Sequence, residues 1–194
     1  MSGGDVALVV LAAGGSSRLG RPKQLVPFRG QPLLRGIAET ARRSTASRVA
    51  VVLGARALEI LPCLSDTDVT ALLNSQWQVG VATSLRRGLF WAMAHDASAL
   101  LVVSGDQPYL DTLHLDSLIA AHRSSGQPAA SVYSGVRGVP AIFPRTLFPD
   151  LLELRGDRGA GALLRGSREV VEISWPAGAF DLDEPADLAR LAAG

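Results

Sequence analysis

The fold is decided by the stretch Val6-Ala7-Leu8-Val9-Val10-Leu11-Ala12-Ala13-Gly14-Gly15. Its apolar residues follow one another without polar alternation and include three valines, which is typical of a β-strand buried on both faces. The two glycines then end the run. Strands buried on both faces belong to parallel sheets, because crossover helices cover the two sides of such sheets. The stretch therefore predicts the first strand of an α/β fold.

Further along the chain, the same pattern recurs in a regular order of strands and helices. Similar apolar runs are Val49–Leu53, Val69–Leu73 and Leu100–Val103. Helical spacing of apolar residues predicts crossover helices starting at Pro32, covering Ser84–Met93 and covering Leu115–His122. The short runs Ala129–Tyr133 and Gly138–Phe143 predict an antiparallel hairpin, the segment Gly156–Gly166 follows, and Phe180–Leu191 predicts a loop leading into a short helix. This order predicts an α/β layer fold.

Composition and charge exclude several classes of protein. The chain of 194 residues is 47% hydrophobic and 19% charged, which excludes disordered and fibrous proteins and predicts one domain over residues 1–194. A net charge of +1 leaves no large basic surface for nucleic acid or membrane. The single cysteine, Cys63, cannot form an intramolecular disulfide or a zinc cage. Because residues 1–5 lack the basic residues of a signal peptide, we expect a cytoplasmic protein.

The loop after the first strand has the composition of a phosphate-binding loop. It reads Leu11-Ala12-Ala13-Gly14-Gly15-Ser16-Ser17-Arg18-Leu19-Gly20-Arg21-Pro22-Lys23-Gln24. Small residues let backbone N–H groups approach an anion, and Arg18 and Lys23 add cationic donors. A Walker A loop is excluded because Arg21 stands where its lysine would be, and the dinucleotide-binding glycine pattern does not fit either. The alternative is an ordinary solvated turn.

Carboxylates follow two later segments. Asp106, in Gly105-Asp106-Gln107-Pro108, comes directly after a buried strand and is the best single candidate for a catalytic residue, although aspartate is also common in turns. Asp181 and Asp183 precede the last helix, and in a strand their side chains would point to opposite faces. Alternatively, one of them or Glu184 caps that helix ahead of Pro185.

Taken together, these motifs resemble a known family. The run Leu11–Gln24 resembles the L-A-A-G-x-S-x-R-M/L-G-x-x-K signature of sugar-nucleotide and cofactor nucleotidyltransferases, particularly the branch that contains molybdenum cofactor cytidylyltransferase. Further matches follow in chain order at Asn74, Trp77-x-x-Gly80-x-x-x-Ser84-Leu85-x-x-Gly88, Gly105-Asp106-Gln107-Pro108, Gly156-Asp157-x-Gly159-Ala160 and Asp181-Leu182-Asp183-Glu184-Pro185-x-Asp187-Leu188. The resemblance covers nearly the whole chain.

The resemblance implies a Rossmann-like three-layer α/β/α fold of the nucleotide-diphospho-sugar transferase type, with a mostly parallel sheet and a small antiparallel insertion. It implies Mg²⁺-dependent transfer of CMP from CTP to a phosphorylated acceptor, with molybdopterin as the expected acceptor, release of pyrophosphate, and a molybdoenzyme as recipient of the product. The choice of CTP rests on Ala13. The implied nucleotide-binding residues are Leu11, Ala12, Ala13, Gly14, Gly15, Ser16, Arg18, Lys23, Asn74, Ser84 and Gly105. The implied catalytic residues are Arg18, Lys23 and Asp106, and the implied metal ligands are Asp106, Asp181 and Asp183.

Two departures from the family pattern leave the acceptor open. Val139 stands where many relatives have the histidine of Gly-His-Pro, and Gly161 stands where related chains often carry arginine, a role that Arg158 or Arg165 would have to take over. The alternatives are transfer of GMP to molybdopterin, transfer of CMP to another phosphate such as a methylerythritol phosphate, and a non-catalytic module that delivers a cofactor.

Other chemistry-bearing residues have ordinary structural interpretations. The three histidines, His95, His114 and His122, lack metal-ligand spacing and are interpreted as surface or partly buried. Trp77 is interpreted as packing rather than as a stacking platform, and Ser84 as an alternative helix cap. No GxSxG motif exists and Cys63 has no nearby histidine in sequence, so nucleophilic catalysis is not indicated.

Overall fold

The computed structural model describes residues 4–165 and 169–193. Its strands are β1 (Val6–Ala12), β2 (Pro27–Phe28), β3 (Gln31–Pro32), β4 (Arg48–Leu53), β5 (Thr70–Leu73), β6 (Ala99–Ser104), β7 (Ala129–Tyr133), β8 (Val136–Pro144) and β9 (Val171–Ser174). Its α-helices are α1 (Leu33–Arg42), α2 (Ala57–Ile60), α3 (Val81–Ala94), α4 (Thr112–Ser125), α5 (Phe148–Glu153), α6 (Gly161–Leu164) and α7 (Pro185–Ala193). The last residue of the expected segment Gly156–Gly166 lies outside the described residues.

Within these ranges, one sheet carries the fold. Its seven strands lie in the order β5-β4-β1-β6-β8-β7-β9, and β2 pairs with β3 in a separate antiparallel ribbon. Strands β5, β4, β1 and β6 pair in parallel, whereas β8 enters antiparallel between β6 and β7. The predicted hairpin is therefore confirmed, and it extends the main sheet. Because the carboxyl ends of β1, β4 and β6 meet at one edge, the loops after them form one crevice.

The two faces of the sheet pack against different helices. Alternate residues of β1 point to opposite sides, so Leu8 joins a core with α1 and α4 while Val9 joins a core with α3 and α5. Gly88 allows the close approach of α3, since a Cβ atom there would lie 2.5 Å from Cγ1 of Val9. The three-layer α/β/α arrangement is thereby confirmed. No helix in the described part of the chain is long and apolar enough to cross a bilayer.

Several element boundaries differ from the expectations. Helix α1 begins at Leu33, with Pro32 as the residue before it. Helix α3 begins at Val81 after Gly80, so Ser84 lies inside the helix and its interpretation as a helix cap is wrong. Asp181 and Asp183 lie in an irregular segment, so the strand alternation considered for them does not apply.

His114 is buried more completely than the surface or partly buried position expected for it. Its relative exposure is 6%, its ring stacks on Trp175 at 4.7 Å between centroids, and its Nε2 lies 2.7 Å from Oγ of Ser131. Burial lowers the pKa of His114, with the charge of Asp111 acting in the opposite direction. His114 therefore belongs to a buried polar contact under the hairpin.

Candidate nucleotide-binding site

The loop after β1 is held in place by its own side chains and by the neighbouring strands. The amide of Gly105 donates to the carbonyl of Leu11 at 2.9 Å, which joins the ends of β1 and β6. Gln24 is buried, and its Nε2 donates to the carbonyls of Ala12 at 2.8 Å and Gly14 at 3.1 Å. The backbone N–H of Lys23 donates to Oγ of Ser16 at 3.1 Å. Gln24 thus shapes the loop, a role that sequence analysis did not predict.

Lys23 lies between two carboxylates. Its Nζ donates to Oδ2 of Asp106 at 2.6 Å and to Oδ1 of Asp183 at 2.9 Å. Burial acts to lower the pKa of Lys23, but the charges and hydrogen bonds of Asp106 and Asp183 outweigh burial and raise it. The lysine therefore stays charged and holds together two segments that are far apart in sequence.

Asp106 is held in place by one hydrogen bond to its side chain and one to its backbone carbonyl. The hydroxyl of Ser104 donates to Oδ1 of Asp106, and the backbone amide of Leu182 donates to the carbonyl of Asp106 at 2.9 Å. Gly105 allows the ends of β6 and β1 to lie close together, because a Cβ atom at this position would lie only 2.8 Å from Cβ of Ala12. The strand end, the glycine-rich loop and the segment before α7 therefore converge at Asp106.

The segment before α7 carries Glu184 and Asp181 as well as Asp183, and all three interact with the charged groups around Lys23. Arg18 donates from Nη2 to Oδ2 of Asp183 at 3.1 Å and lies 3.7 Å from Oε1 of Glu184. Burial raises the pKa of Asp181 to about 6, assisted by the charges of Asp106 and Asp183 and opposed by Lys23. Asp187, in the first turn of α7, accepts the backbone N–H groups of Asp183 and Glu184 through Oδ2 and so holds this segment against the helix.

The donor set suits a divalent cation that is shared with a nucleotide. Asp106 and Asp183 reach the same ammonium group, and burial together with the charges of these two carboxylates raises the pKa of Asp181. The described residues contain no group of three or more His, Cys, Asp or Glu side chains placed to hold a metal by themselves. Mg²⁺ keeps several waters and takes one or two protein carboxylates together with phosphate oxygens. These carboxylates therefore fit such an ion.

A cavity of about 1180 Å³ opens beside these groups. Its wall includes these residues from the sequence prediction: Leu11, Ala12, Ala13, Gly14, Gly15, Lys23, Ser84, Gly105 and Asp106. Ser16, Arg18, Asn74, Asp181 and Asp183 lie outside that wall. Asn74 acts from beneath it, because its buried Nδ2 donates to Oγ of Ser84 and Oγ1 of Thr83, both at 2.9 Å. The structure therefore brings the predicted residues to one crevice, some in the wall and some behind it.

Trp77 both packs and lines this cavity. Trp77 is half-buried and packs closely on Gly54, because a Cβ atom added at Gly54 would lie 2.6 Å from Cβ of Trp77. The ring also lies over Gly15, where an added Cβ atom would be 3.3 Å away. The packing role predicted for Trp77 agrees with these contacts, and part of the side chain remains in the wall.

The opposite end of the cavity is built by the hairpin and by α6, and most of it was missed by sequence analysis. Its wall includes Tyr133, Val136, Arg137, Gly138, Val139, Gly161, Leu164, Arg165 and Glu172. Nε of Arg137 donates to Oε1 of Glu172 at 2.7 Å, and its Nη1 donates to the carbonyl of Leu164 at 3.0 Å. Val139 and Gly161, the two departures from the family pattern, both lie here. Arg165 lies in the wall, whereas Arg158 lies outside it.

The comparison with known proteins identifies the family. The family model of the MobA-like NTP transferase domain matches residues 8–172. The chain belongs to the MobA-like NTP transferase family. Its class is therefore nucleotidyltransferase. The chain is also similar to nicotine blue oxidoreductase of Paenarthrobacter nicotinovorans, with 33% identity over 85% of this chain and 84% of that protein.

Solved structures that are similar to this chain agree with the fold. The crystal structure of the Mycobacterium tuberculosis Rv0371c homologue from Mycobacterium sp. strain JC1 has 34% identity and a TM-score of 0.83, covering 97% of this chain and 96% of that one. Rv0371c of M. tuberculosis H37Rv, crystallised in complex with manganese, has 27% identity and a TM-score of 0.79 over 96% of each chain. A divalent metal is thus present in the structure of one similar protein.

Proposed function

We propose that this NTP transferase moves CMP from CTP to the phosphate of molybdopterin and releases pyrophosphate, with Mg²⁺ as its metal. The observation that carries the proposal is the meeting of Lys23 and Asp106 at the cavity wall, directly beside the glycine-rich loop. A cation for phosphate oxygens and a carboxylate for a divalent ion are the two groups that this reaction needs side by side.

The chain's own residues bind and orient rather than take protons. A phosphate monoester has a second pKa of about 6, so its oxygen is already ionised near neutral pH and no general base is required. That oxygen bonds to the α-phosphorus of CTP while the bond from the α-phosphorus to the oxygen bridging to the β-phosphate breaks. Lys23 and Arg18 would bind the donor phosphates and offset the charge on the leaving pyrophosphate.

The carboxylates would hold the metal. Asp106 and Asp183 point to one position, now taken by the ammonium of Lys23, and Asp181 lies close enough to feel the charge of both. Mg²⁺, when bound, supplies neutralisation of charge on the triphosphate. The loop residues Leu11–Gly15, Gly105 and Ser84 would line the nucleotide, with Asn74 holding Ser84 from below.

The acceptor would occupy the end of the cavity formed by the hairpin. That end combines the apolar side chains of Val136, Val139 and Leu164 with the ion pair of Arg137 and Glu172. Because Val139 replaces a hydrogen-bonding histidine of related enzymes, backbone groups and Arg165 carry more of the acceptor recognition. The product would pass to a molybdoenzyme.

The test is pyrophosphate release by an Asp106→Asn variant. Asparagine keeps the size of the side chain but loses the negative charge, so we expect turnover of CTP and molybdopterin to fall about a thousand-fold, equivalent to about 4 kcal/mol. Asp66→Asn is the matched control, because Asp66 is exposed and has a φ of +61°, a conformation that asparagine tolerates well. A folded Asp106→Asn protein with normal turnover would contradict the proposal.

The same assay separates the rival functions. Faster release from GTP than from CTP would indicate a guanylyltransferase, and nucleotide binding without release would indicate a delivery module. Nicotine blue oxidoreductase is named for a redox reaction, and a shared activity of that kind would give turnover without pyrophosphate. Each of these results would overturn the cytidylyltransferase proposal.

A further inference from the structure

The hairpin strand β8 carries a two-residue bulge in the wall of the cavity. Ala130 of β7 lies opposite Ala141, but the next residue, Ser131, lies opposite Gly138. Val139 and Pro140 therefore lie opposite no residue of β7 in the backbone pairing, and the pairing of β8 with β6 stops at Ala141. Bulges of this kind bend a strand and redirect its side chains, and they occur often beside active sites.

Side chains donate hydrogen bonds to the backbone carbonyls of the bulge, which have no backbone partner in β7. The carbonyl of Val139 accepts from Oη of Tyr133 at 3.0 Å and from Nε2 of Gln107 at 3.2 Å. The carbonyl of Pro140 accepts from Oγ of Ser131 at 2.6 Å. Buried backbone carbonyls need such partners, so these three side chains hold the bulge open in one conformation.

Two of these side chains connect the bulge to the carboxylates. Gln107 is 1% exposed and follows Asp106 directly in the chain, and its Nε2 also lies 3.4 Å from the carbonyl of Gly178. Tyr133 lies in the cavity wall, and its pKa is raised by burial and by the charges of Asp181 and Asp106. The bulge is therefore braced against the same loop that positions Asp106.

The absence of a side chain at Gly138 makes space for Tyr133. A Cβ atom at Gly138 would collide with the hydroxyl of Tyr133, so only glycine lets the tyrosine lie across the strand to reach the carbonyl of Val139. With its carbonyl held inside, Val139 contributes to the cavity wall. The position of that part of the wall relative to Asp106 is thus set by Gln107 and Tyr133.

We propose that Gln107 and Tyr133 are positioning residues for the acceptor: they hold the Val139 bulge at a fixed place relative to Asp106, so that the acceptor phosphate meets the donor nucleotide. The role in acceptor binding rests on the proposed function, whereas the hydrogen bonds that hold the bulge do not depend on it. Neither residue belongs to the donor loop, and both donate hydrogen bonds to the carbonyl of Val139, so their removal should weaken acceptor use much more than CTP binding.

The experiment compares Tyr133→Phe and Gln107→Met with the wild-type protein. Phenylalanine removes the hydroxyl alone. Methionine keeps the length of Gln107 and removes Nε2, the donor to the carbonyls of Val139 and Gly178. It also removes Oε1, which is buried without a hydrogen-bond partner among the described residues, and this offsets part of the cost to stability. We expect the KM for molybdopterin to rise about tenfold in each variant, as for the loss of one or two hydrogen bonds, with the Kd for CTP changed less than twofold.

Thr67→Val is the matched control. Its buried hydroxyl donates to the carbonyl of Leu64 at 2.6 Å, outside the cavity wall, so this variant loses a similar bond and should keep both constants. Equal changes in the KM for molybdopterin and the Kd for CTP would overturn the proposal, and so would unchanged values of both in Tyr133→Phe and Gln107→Met.

Hydrogen exchange provides a readout that is independent of the reaction. If Gln107 and Tyr133 hold the bulge, the amides of Gly138, Val139, Ala141 and Ile142 should exchange faster in both variants than in the wild type or in Thr67→Val. Unchanged exchange would overturn the inference even if turnover fell. Absence of pyrophosphate release by the wild type would remove the proposed function instead, while faster exchange in the variants would still support the braced bulge.

Discussion

Lys23 shows how one side chain can serve two states of the same site. In the structure its ammonium group pairs with Asp106 and Asp183 and is 16% exposed. In the proposed reaction the same ammonium binds phosphate and the same carboxylates bind a divalent ion. Both exchanges must occur together, because a phosphate that draws Lys23 away leaves two carboxylates unpaired. Metal and nucleotide should therefore bind as a unit.

Replacing Lys23 with methionine should separate these two bindings. Without metal, Lys23→Met should lose on the order of 3 kcal/mol of unfolding free energy, because it leaves partly buried carboxylates without a partner. Mn²⁺ should bind this variant about tenfold more tightly than the wild type, since about 1.4 kcal/mol is no longer spent displacing the ammonium. Isothermal titration with Mn²⁺ in the absence of nucleotide measures the difference.

The control for this prediction is Arg35→Met. Arg35 pairs with Glu39 at 3.0 Å on α1, away from the cavity wall, so its loss should leave Mn²⁺ affinity unchanged. Weaker Mn²⁺ binding by Lys23→Met would mean that the lysine helps to form the metal site rather than filling it.

Individual residues differ in how far the sequence alone could predict their position. Lys23 and Asp106 follow from the order of strand and loop together with the family signature, and the structure places both in the cavity wall. The bonds of Gln24, Gln107 and Tyr133 run from side chain to backbone across long stretches of chain. Such contacts leave no periodic pattern in a sequence, so these residues could be found only in three dimensions.

At the scale of elements, the packing of α3 on β1 fixes the floor of the cavity. Gly88 faces Val9 at a distance that leaves no space for a methyl group, and Val9 is fully buried. The same helix carries Ser84 into the cavity wall. A shift of α3 would therefore move both the core and the cavity wall at Ser84.

Gly88→Ala should destabilise the protein by about 1 to 3 kcal/mol, because the new methyl group overpacks the core. Thermal unfolding measures the loss, and in a Val9→Ala background the same change should cost little, since the space is then available. Gly36→Ala on α1 is the matched control: its nearest neighbour would be Nε2 of Gln31 at 3.4 Å, so alanine should stabilise that helix by roughly 0.5 to 1 kcal/mol. Additive effects of Gly88→Ala and Val9→Ala would contradict this picture.

The elements themselves were predictable where their hydrophobicity was continuous. Strands β1, β4, β5 and β6 lie within one residue of the apolar runs, and β7 agrees at both ends. Strand β9 has only four residues, two of them Glu172 and Ser174, and α5 has six, so neither gave a signal long enough to recognise. The placement of β8 between β6 and β7 depends on pairing partners, which local patterns do not specify.

For the whole molecule, ligand binding should appear as added stability. A nucleotide that binds only the folded chain at about one hundred times its Kd adds about 2.7 kcal/mol, which for this size corresponds to roughly 5 to 10 °C in Tm. We expect CTP with Mg²⁺ to raise the Tm more than GTP, ATP or UTP does. Equal shifts for all four would contradict the preference for cytidine, and no shift for any would contradict the nucleotide site.

The bond between Lys23 and Asp183 also determines when the site can exist. These residues are 160 positions apart, and Arg18 and Asp183 are 165 apart. During synthesis the glycine-rich loop and the strand before Asp106 leave the ribosome well before Asp183 does, and contacts of such long sequence separation are slow to form. Every newly made chain thus passes through a stage in which Lys23 and Asp106 are present without the residue that joins them to the end of the chain.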